Sequence, residues 1–394
     1  METMKKIVPS YIPNELIIQI LLRLPVKSLI RFKCVCKSWF SIISDTHFAN
    51  SQFELNAATA THTHKALFLS TVSPHETVSI DLEASLDDDT ASVSLNPNFM
   101  PSQSYFRIEI KGSCRGFILF LYDDSCFYLW NPSTGLHKQI PLSPLSFNLD
   151  TSADYFYGFG YDQSTDDYLV VSMSSGTNSS YLEFFSLRAN AWKEIDEGTR
   201  IRYANATEDY RKEGSFFNGA IHWFAYRHQL EKNVIVAFDL MERKLIGMHL
   251  PDQFDLEIDY YSGLWVFREF LSLWALSHDN VTVEIWVMKE YRVHSSWTKT
   301  YVLPIDDIFT NYFSPLCCTK SGDIVGTYGR YRLVKYNDEG HLLGHGRSYF
   351  NHPYRSRVVR YLESRWHKKE DQYKSRVVMY TESLLSLPGD NVQA

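Results

Sequence analysis

Six cysteines stand at positions 34, 36, 114, 126, 317 and 318 of the 394-residue chain. A structural metal site needs four ligands, and Cys34-Val35-Cys36 has no second pair at zinc-site spacing. Both thiols are therefore expected to pack within a helix. Cys317-Cys318 falls in a run that reads as a strand, where neighbours point to opposite faces, so one thiol is expected in the core and the other outside. His62, His64 and His75 lie in polar surroundings and read as surface residues. His222, inside GAIHWFAY, reads as a packed, hydrogen-bonded histidine. Gly158-Phe159-Gly160 lacks the third glycine and the following helix of a dinucleotide fingerprint. The sequence holds no phosphate-binding loop, no Gly-x-Ser-x-Gly elbow and no His-Glu-x-x-His motif. Carboxylate pairs on a β scaffold leave no local signature, so an enzyme on such a scaffold stays as one alternative. Nothing in the residues asks for it, and the expectation is a non-catalytic chain without metal or cofactor.

Charge narrows the partners. The net charge of -7 argues against a general nucleic-acid binder, which carries a basic footprint. Its distribution is uneven: residues 1–50 come to about +4, 51–354 to about -14 and 355–376 to about +5. The acidic run Asp87–Asp89 and the basic stretch RSRVVRYLESRWHKKEDQYKSR (355–376) both read as solvated insertions. No apolar run is long enough to span a bilayer, and the N-terminus lacks the apolar core of a signal peptide. The thiols are then expected to be reduced and the chain to work in the cytoplasm, the nucleus or both. On that expectation the sequons at Asn178, Asn205 and Asn280 are idle.

The elements divide near residues 50–65. Before that point apolar residues recur at helical spacings, and three short helices are expected over about 40 residues. Between Leu16 and Leu24 only Gln19 and Arg23 are polar, so this helix is apolar on nearly every side and needs a cover for its second face. The Thr-rich segment 56–65 reads as a linker. Beyond it, RGFILFLY, CFYLWNP, DDYLVVSM, LEFFSL, GAIHWFAY, VIVAFDL and VEIWVM read as strands separated by Gly, Asn-Pro and Asn-Gly turns. A degenerate unit starts roughly every 45 to 57 residues, in the range of a kelch-like propeller blade. Five units are continuous. A sixth joins KALFLS and TVSIDL from the start to SRVVMYTESLLSL from the end, which would close the ring and remove its sheet edges. A β-sandwich is the alternative.

IPNELIIQILLRLPVKSLIRFKCVCKSWFSIISDTHFANSQF resembles the plant F-box, with Ile12-Pro13 at the usual Leu-Pro. Downstream, LWNPSTG, YGFGYD, NGAIHWFA, AFDLMERK, IWVMKEY, SWTK and YTESLLSL resemble the plant F-box-associated interaction domain. The resemblance covers about nine-tenths of the chain. It implies a mainly β protein with a small all-α N-terminal domain: a three-helix F-box over 8–53, a linker over 54–65 and a six-bladed, kelch-type β-propeller-like domain over 66–388.

The function implied is that of a substrate-recognition subunit of an SCF (Skp–cullin–F-box) ubiquitin ligase. The F-box would bind a Skp-type adaptor, and through it cullin, and the C-terminal domain would recruit a protein for ubiquitination and proteasomal degradation. The alternative is an F-box protein that binds a partner or glycan without directing degradation. Neither nucleic acid nor membrane is implied. Carried over position by position, the adaptor-facing residues would be Pro13, Glu15, Leu16, Ile17, Ile20, Leu21, Leu24, Pro25, Val26 and Leu29, with Val35 and Trp39 supporting or joining them. About 40 residues bury too little apolar surface to be securely stable alone, so the F-box is expected to be fully ordered only in complex. The substrate-binding residues stay unknown at this level. Some family members recruit immune receptors and others basic pollination ribonucleases, and the acidic body does not choose between them.

Overall fold

The computed structural model describes residues 12–58, 64–69, 77–83, 92–97, 99, 108–145, 154–175, 180–195, 203–205, 213–254, 262–276, 282–304, 313–328, 332–345 and 376–388. The Asp87–Asp89 run, His62, His75 and all but the last residue of the basic stretch 355–376 lie outside the described residues.

Four helices open the chain rather than three: α1 (Asn14–Leu21), α2 (Val26–Phe32), α3 (Lys37–Ser44) and α4 (Thr46–Ala58). Prolines start the first two. The Pro13 carbonyl accepts from Leu16 N at 3.1 Å and Ile17 N at 3.2 Å, and the Pro25 carbonyl from Ser28 N at 2.9 Å and Leu29 N at 3.1 Å. Proline suits a helix start because its missing N–H would have no intrahelical acceptor there. Cys36 caps α3, its Sγ accepting from Trp39 N at 3.5 Å. Cys34 and Cys36 are exposed at the turn between α2 and α3, so they do not pack within a helix as expected. Asp45 starts α4 through Oδ1, which accepts from Phe48 N at 2.9 Å. That helix escapes sequence periodicity because few of its residues are apolar, and it carries 54–58 of the segment read as linker.

Six antiparallel sheets follow among the described residues. The first takes β1 (His64–Leu69), β2 (Thr77–Asp81) and β3 (Ser92–Leu95) from the start of the β region and β25 (Arg376–Thr381) from its end, in the order β25-β1-β2-β3. This is the expected closing unit, with His64 paired to Thr381 and Leu69 to Arg376. The second holds β4 (Ile108–Cys114), β5 (Phe117–Tyr122), β6 (Cys126–Trp130) and β7 (His137–Pro141). The third holds β8 (Asp154–Asp162), β9 (Asp167–Ser175), β10 (Ser180–Ser186) and β11 (Ala191–Glu194). The fourth has β12 (Tyr203–Asn205), β13 (Ser215–Phe217), β14 (Ala220–Arg227), β15 (Lys232–Asp239) and β16 (Lys244–Met248), with β12 and β13 both on β14. The fifth holds β17 (Ser262–Phe267), β18 (Phe270–Leu276), β19 (Thr282–Met288) and β20 (Trp297–Pro304). The sixth holds β21 (Phe313–Cys318), β22 (Ile324–Tyr328), β23 (Arg332–Tyr336) and β24 (Leu342–His345).

The innermost strand of each blade lines the ring: β25, β4, β8, β13, β17 and β21 neighbour one another in turn. The fold is a six-bladed β-propeller, and the sandwich alternative falls. Middle strands such as β5 and β6 are buried on both faces because blades stack against blades, so they are continuous apolar runs rather than alternating ones. Outer strands such as β7 are mostly exposed. The glycine pair once weighed as a cofactor loop serves this stacking. A Cβ on Gly158 would lie 2.4 Å from Ile221 Cγ2, and one on Gly160 2.7 Å from Phe216 and Leu240. Side-chain-free positions on β8 let the fourth blade approach. Cys317 is buried and Cys318 only partly so, as the strand alternation predicts.

The helices do not stand apart from the ring. Leu21, Leu22, Val26, Leu29, Ile43, Phe48 and Ala49 belong to one buried cluster with Phe117, Phe159 and Val170 of the second and third blades and with Leu384, Leu385 and Leu387. The small helical domain, too short to bury a full core by itself, shares its core with the propeller.

Candidate functional site

The helical domain presents an unusual surface. Ile12 precedes the N-cap Pro13 of α1, and Leu16 and Ile20 stand four residues apart on one stripe of that helix. They are 52%, 54% and 55% exposed. Val35 at the α2–α3 turn is 59% exposed and Phe40 on α3 is 43% exposed. The opposite side of α1 turns inward: Leu21 is 1% exposed, with Ile17 and Ile18 packed against the same core. This arrangement answers why the helix is apolar all round. One side is seated on the chain's own core, and the other is open.

The twelve residues expected at a partner face separate by burial. Pro13, Glu15, Leu16, Ile20, Pro25 and Val35 are exposed, and Ile17, Leu24 and Trp39 are half-buried. Leu21, Val26 and Leu29 are 1%, 4% and 0% exposed and have no surface to offer. These three hold the helices together instead. Trp39 stacks at a tilt on Phe32, with ring centroids 5.4 Å apart. Ile12 and Phe40 are open but stand outside the expected set. The exposed charge of α2 and the start of α3 is basic, with Lys27, Arg31 and Lys37 exposed, and partial burial holds the Lys33 ammonium below its usual pKa.

The propeller turns one face to the helices. The turn after β4 carries Arg115, whose guanidinium meets α4, and neighbouring blades are tied along that same side by hydrogen bonds and an ion pair. Arg243 Nη2 pairs with Asp162 Oδ2 at 2.6 Å between the fourth and third blades. Arg268 Nη2 donates to Gly322 O at 2.9 Å between the fifth and sixth. Lys320 N donates to Glu83 Oε1 at 3.3 Å between the sixth and first. A cleft of about 220 Å³, lined by Ser113, Cys114, Arg115, Gly116, Phe216, Met379, Tyr380 and Thr381, lies on this near side.

The far side is built differently. Outer strands end there, Pro141 opposite Cys126 and Pro304 opposite Thr282, and inner strands begin there. The chain therefore leaves each blade and enters the next at the face away from the helices. Loops on a rigid scaffold are where binding residues concentrate. Among the described residues, no group of three or more His, Cys, Asp or Glu side chains could hold a metal ion.

Comparison with known proteins agrees with both halves. The F-box domain family model matches residues 10–50, and the model of the F-box associated β-propeller domain matches residues 68–387. The chain is 30% identical over 335 residues to the F-box/kelch-repeat protein At3g23880 of Arabidopsis thaliana, covering 84% of this chain and 88% of that one. It is 28% identical over 331 residues to the F-box protein CPR1 of the same plant, covering 78% and 77%. With the F-box protein At4g22390, also of Arabidopsis thaliana, identity is 27% over 358 residues, covering 84% and 82%.

Proposed function

The chain belongs to the F-box proteins that carry an F-box associated β-propeller, and on that premise we propose that it is a substrate-recognition subunit of an SCF ubiquitin ligase. The observation that carries this reading is the open apolar surface of Ile12, Leu16 and Ile20, with the other side of α1 seated on the chain's own core. Burying such side chains against a partner contributes about 1.5–3 kcal/mol each before the costs of association. A Skp-type adaptor, and cullin through it, is the partner proposed for the stripe. The exposed Lys27, Arg31 and Lys37 favour an adaptor whose rim is acidic.

The protein makes and breaks no bonds in this role. It raises the effective concentration of target lysines beside a conjugating enzyme held by the same scaffold. The target is a protein, held by the far-face connections of the propeller, and the work is done in the cytoplasm or nucleus. Proximity labelling combined with ubiquitin-remnant mass spectrometry tests the reading, comparing the wild type with a Leu16→Asp/Ile20→Asp chain. Proteins labelled by both chains but carrying ubiquitin remnants only with the wild type are the expected result. Labelled neighbours without any remnant difference, at abundances indifferent to a proteasome inhibitor, would leave a binding protein that does not direct degradation.

A further inference from the structure

The F-box is gripped by one side chain of the propeller. The Arg115 guanidinium donates to Glu54 Oε1 at 3.0 Å and to Asn50 Oδ1 at 2.9 Å, both on α4. It lies over the Phe53 ring of the same helix at 4.8 Å and over Tyr161 of the third blade at 4.2 Å. Two hydrogen bonds and two ring faces around one planar fork fix its orientation, which a lysine ammonium could not reproduce. Gln52 completes the connection on the helical side, its Nε2 donating to Leu24 O at 3.3 Å, so α4 is tied in turn to the end of the α1 region.

What holds Arg115 itself is the end of the chain. The residue sits at φ +49 in a two-residue hairpin turn with Gly116 at φ +86, the paired positive φ values that a tight hairpin turn requires. Ser383, just past β25, bonds to that turn. Its Oγ donates to Arg115 O at 3.1 Å. Asn131 Nδ2 grips the same segment, donating to Ser383 Oγ at 3.1 Å and Ser383 O at 3.2 Å. The approach is so close that a Cβ on Gly116 would fall 2.1 Å from Ser383 Oγ. Beyond Ser383, Leu384, Leu385 and Leu387 are buried in the cluster shared by F-box and propeller. The comparable turn of the fifth blade shows the contrast: Arg268, at φ +44, spends its guanidinium on Tyr301 Oη and Gly322 O within the ring.

We propose that Ser383 and Arg115 form a clamp through which the closed C-terminal end of the ring sets the orientation of the F-box on the propeller. Arg115 is a positioning residue, and residues 382–388 are the element that positions it. A propeller whose last strand has not docked keeps the apolar seat of the F-box on the second and third blades but loses the bonds that fix Arg115. A ligase subunit of this kind would present its target at a defined distance only once its ring is complete, a consequence that rests on the adaptor reading.

Spin-label distances in the full-length protein test the clamp without needing the target. One label goes on the exposed Cys34 and the other on Lys289→Cys, an exposed position of the fifth blade, with Cys36→Ser and Cys318→Ser as background. The unmodified clamp should give one narrow distance distribution. Arg115→Ala and Ser383→Ala should each broaden it, with the ring's cooperative melt retained and capture of a purified Skp-type adaptor unchanged. Lys335→Ala, which removes an ion pair to Asp323 within the sixth blade, should leave it narrow. Unchanged distributions in both clamp variants would overturn the proposal, as would equal broadening in Lys335→Ala. Failure of the wild type to capture the adaptor would count against the adaptor reading alone, because the distances still decide the clamp.

Discussion

His222 is buried between Ser215 O at 3.1 Å and Tyr291 Oη at 2.9 Å. Nδ1–H donates to the carbonyl, so the neutral ring leaves Nε2 to accept from the tyrosine. Desolvation lowers its pKa to about 4, against hydrogen bonding to Ser215 and Ala220 that acts the other way. The unfolded imidazole titrates near 6.5, so the stabilisation is whole above that pH and is lost as pH falls through the window down to about 4. The loss from this residue is at most ~3 kcal/mol. Thermal midpoints measured across the window should fall more steeply in the wild type than in His222→Gln, although the variant is less stable at neutral pH. Parallel slopes would contradict the assignment. At this scale the sequence was legible where one strand dictated surroundings, as for His222 and Cys317. It misled at Cys34 and Cys36, because a turn that interrupts α2 and α3 leaves no mark in apolar spacing.

At the scale of elements, α1 is two surfaces with different energetics. Leu29→Ala, like Leu21→Ala, should cost about 2–5 kcal/mol of unfolding free energy, because a cavity opens where no neighbour can follow. Leu16→Asp, at a position more than half exposed, should leave stability within about 0.5 kcal/mol. Chemical denaturation of the three variants checks this, and a Leu16→Asp protein as weakened as Leu29→Ala would show the stripe to be core. On β8, Gly158→Val drives a branched side chain into Ile221 and Trp223. It should destabilise the ring by about 1–3 kcal/mol, read from the same unfolding curves. The family resemblance named positions 13 to 39 but could not say which way each side chain faced. A short helix apolar on every side has no periodic contrast to read, so burial had to separate Leu16 from Leu21. The helix α4 was missed for the opposite reason: Phe48, Ala49, Phe53 and Leu55 join the shared core, too few apolar residues to mark a period.

The whole molecule is a ring closed by its two ends. Three strands of the first blade come from residues 64–95 and the fourth from 376–381. Both flanking stretches, KALFLS and SRVVMYTESLLSL, are legible as halves of one unit because the intervening units are whole. The long connections on the far face carry no such pattern, and the target they select is unread for that reason. A chain ending after residue 375 lacks β25 and leaves the edge of β1 unpaired, an open edge that invites association. It should lose its single cooperative melt and aggregate at concentrations where the full chain is monodisperse, as checked by calorimetry and light scattering. Equal behaviour of the two chains would mean that the ring does not depend on its closing strand.

The central claim is that the open side of α1 is the seat of a Skp-type adaptor. Titration calorimetry with the purified adaptor tests it most directly, comparing the wild type with Leu16→Asp/Ile20→Asp, both carrying an unchanged cooperative melt. Saturable one-to-one binding by the wild type, lost in the double variant, is the result predicted. Binding of equal affinity by the two chains would contradict it.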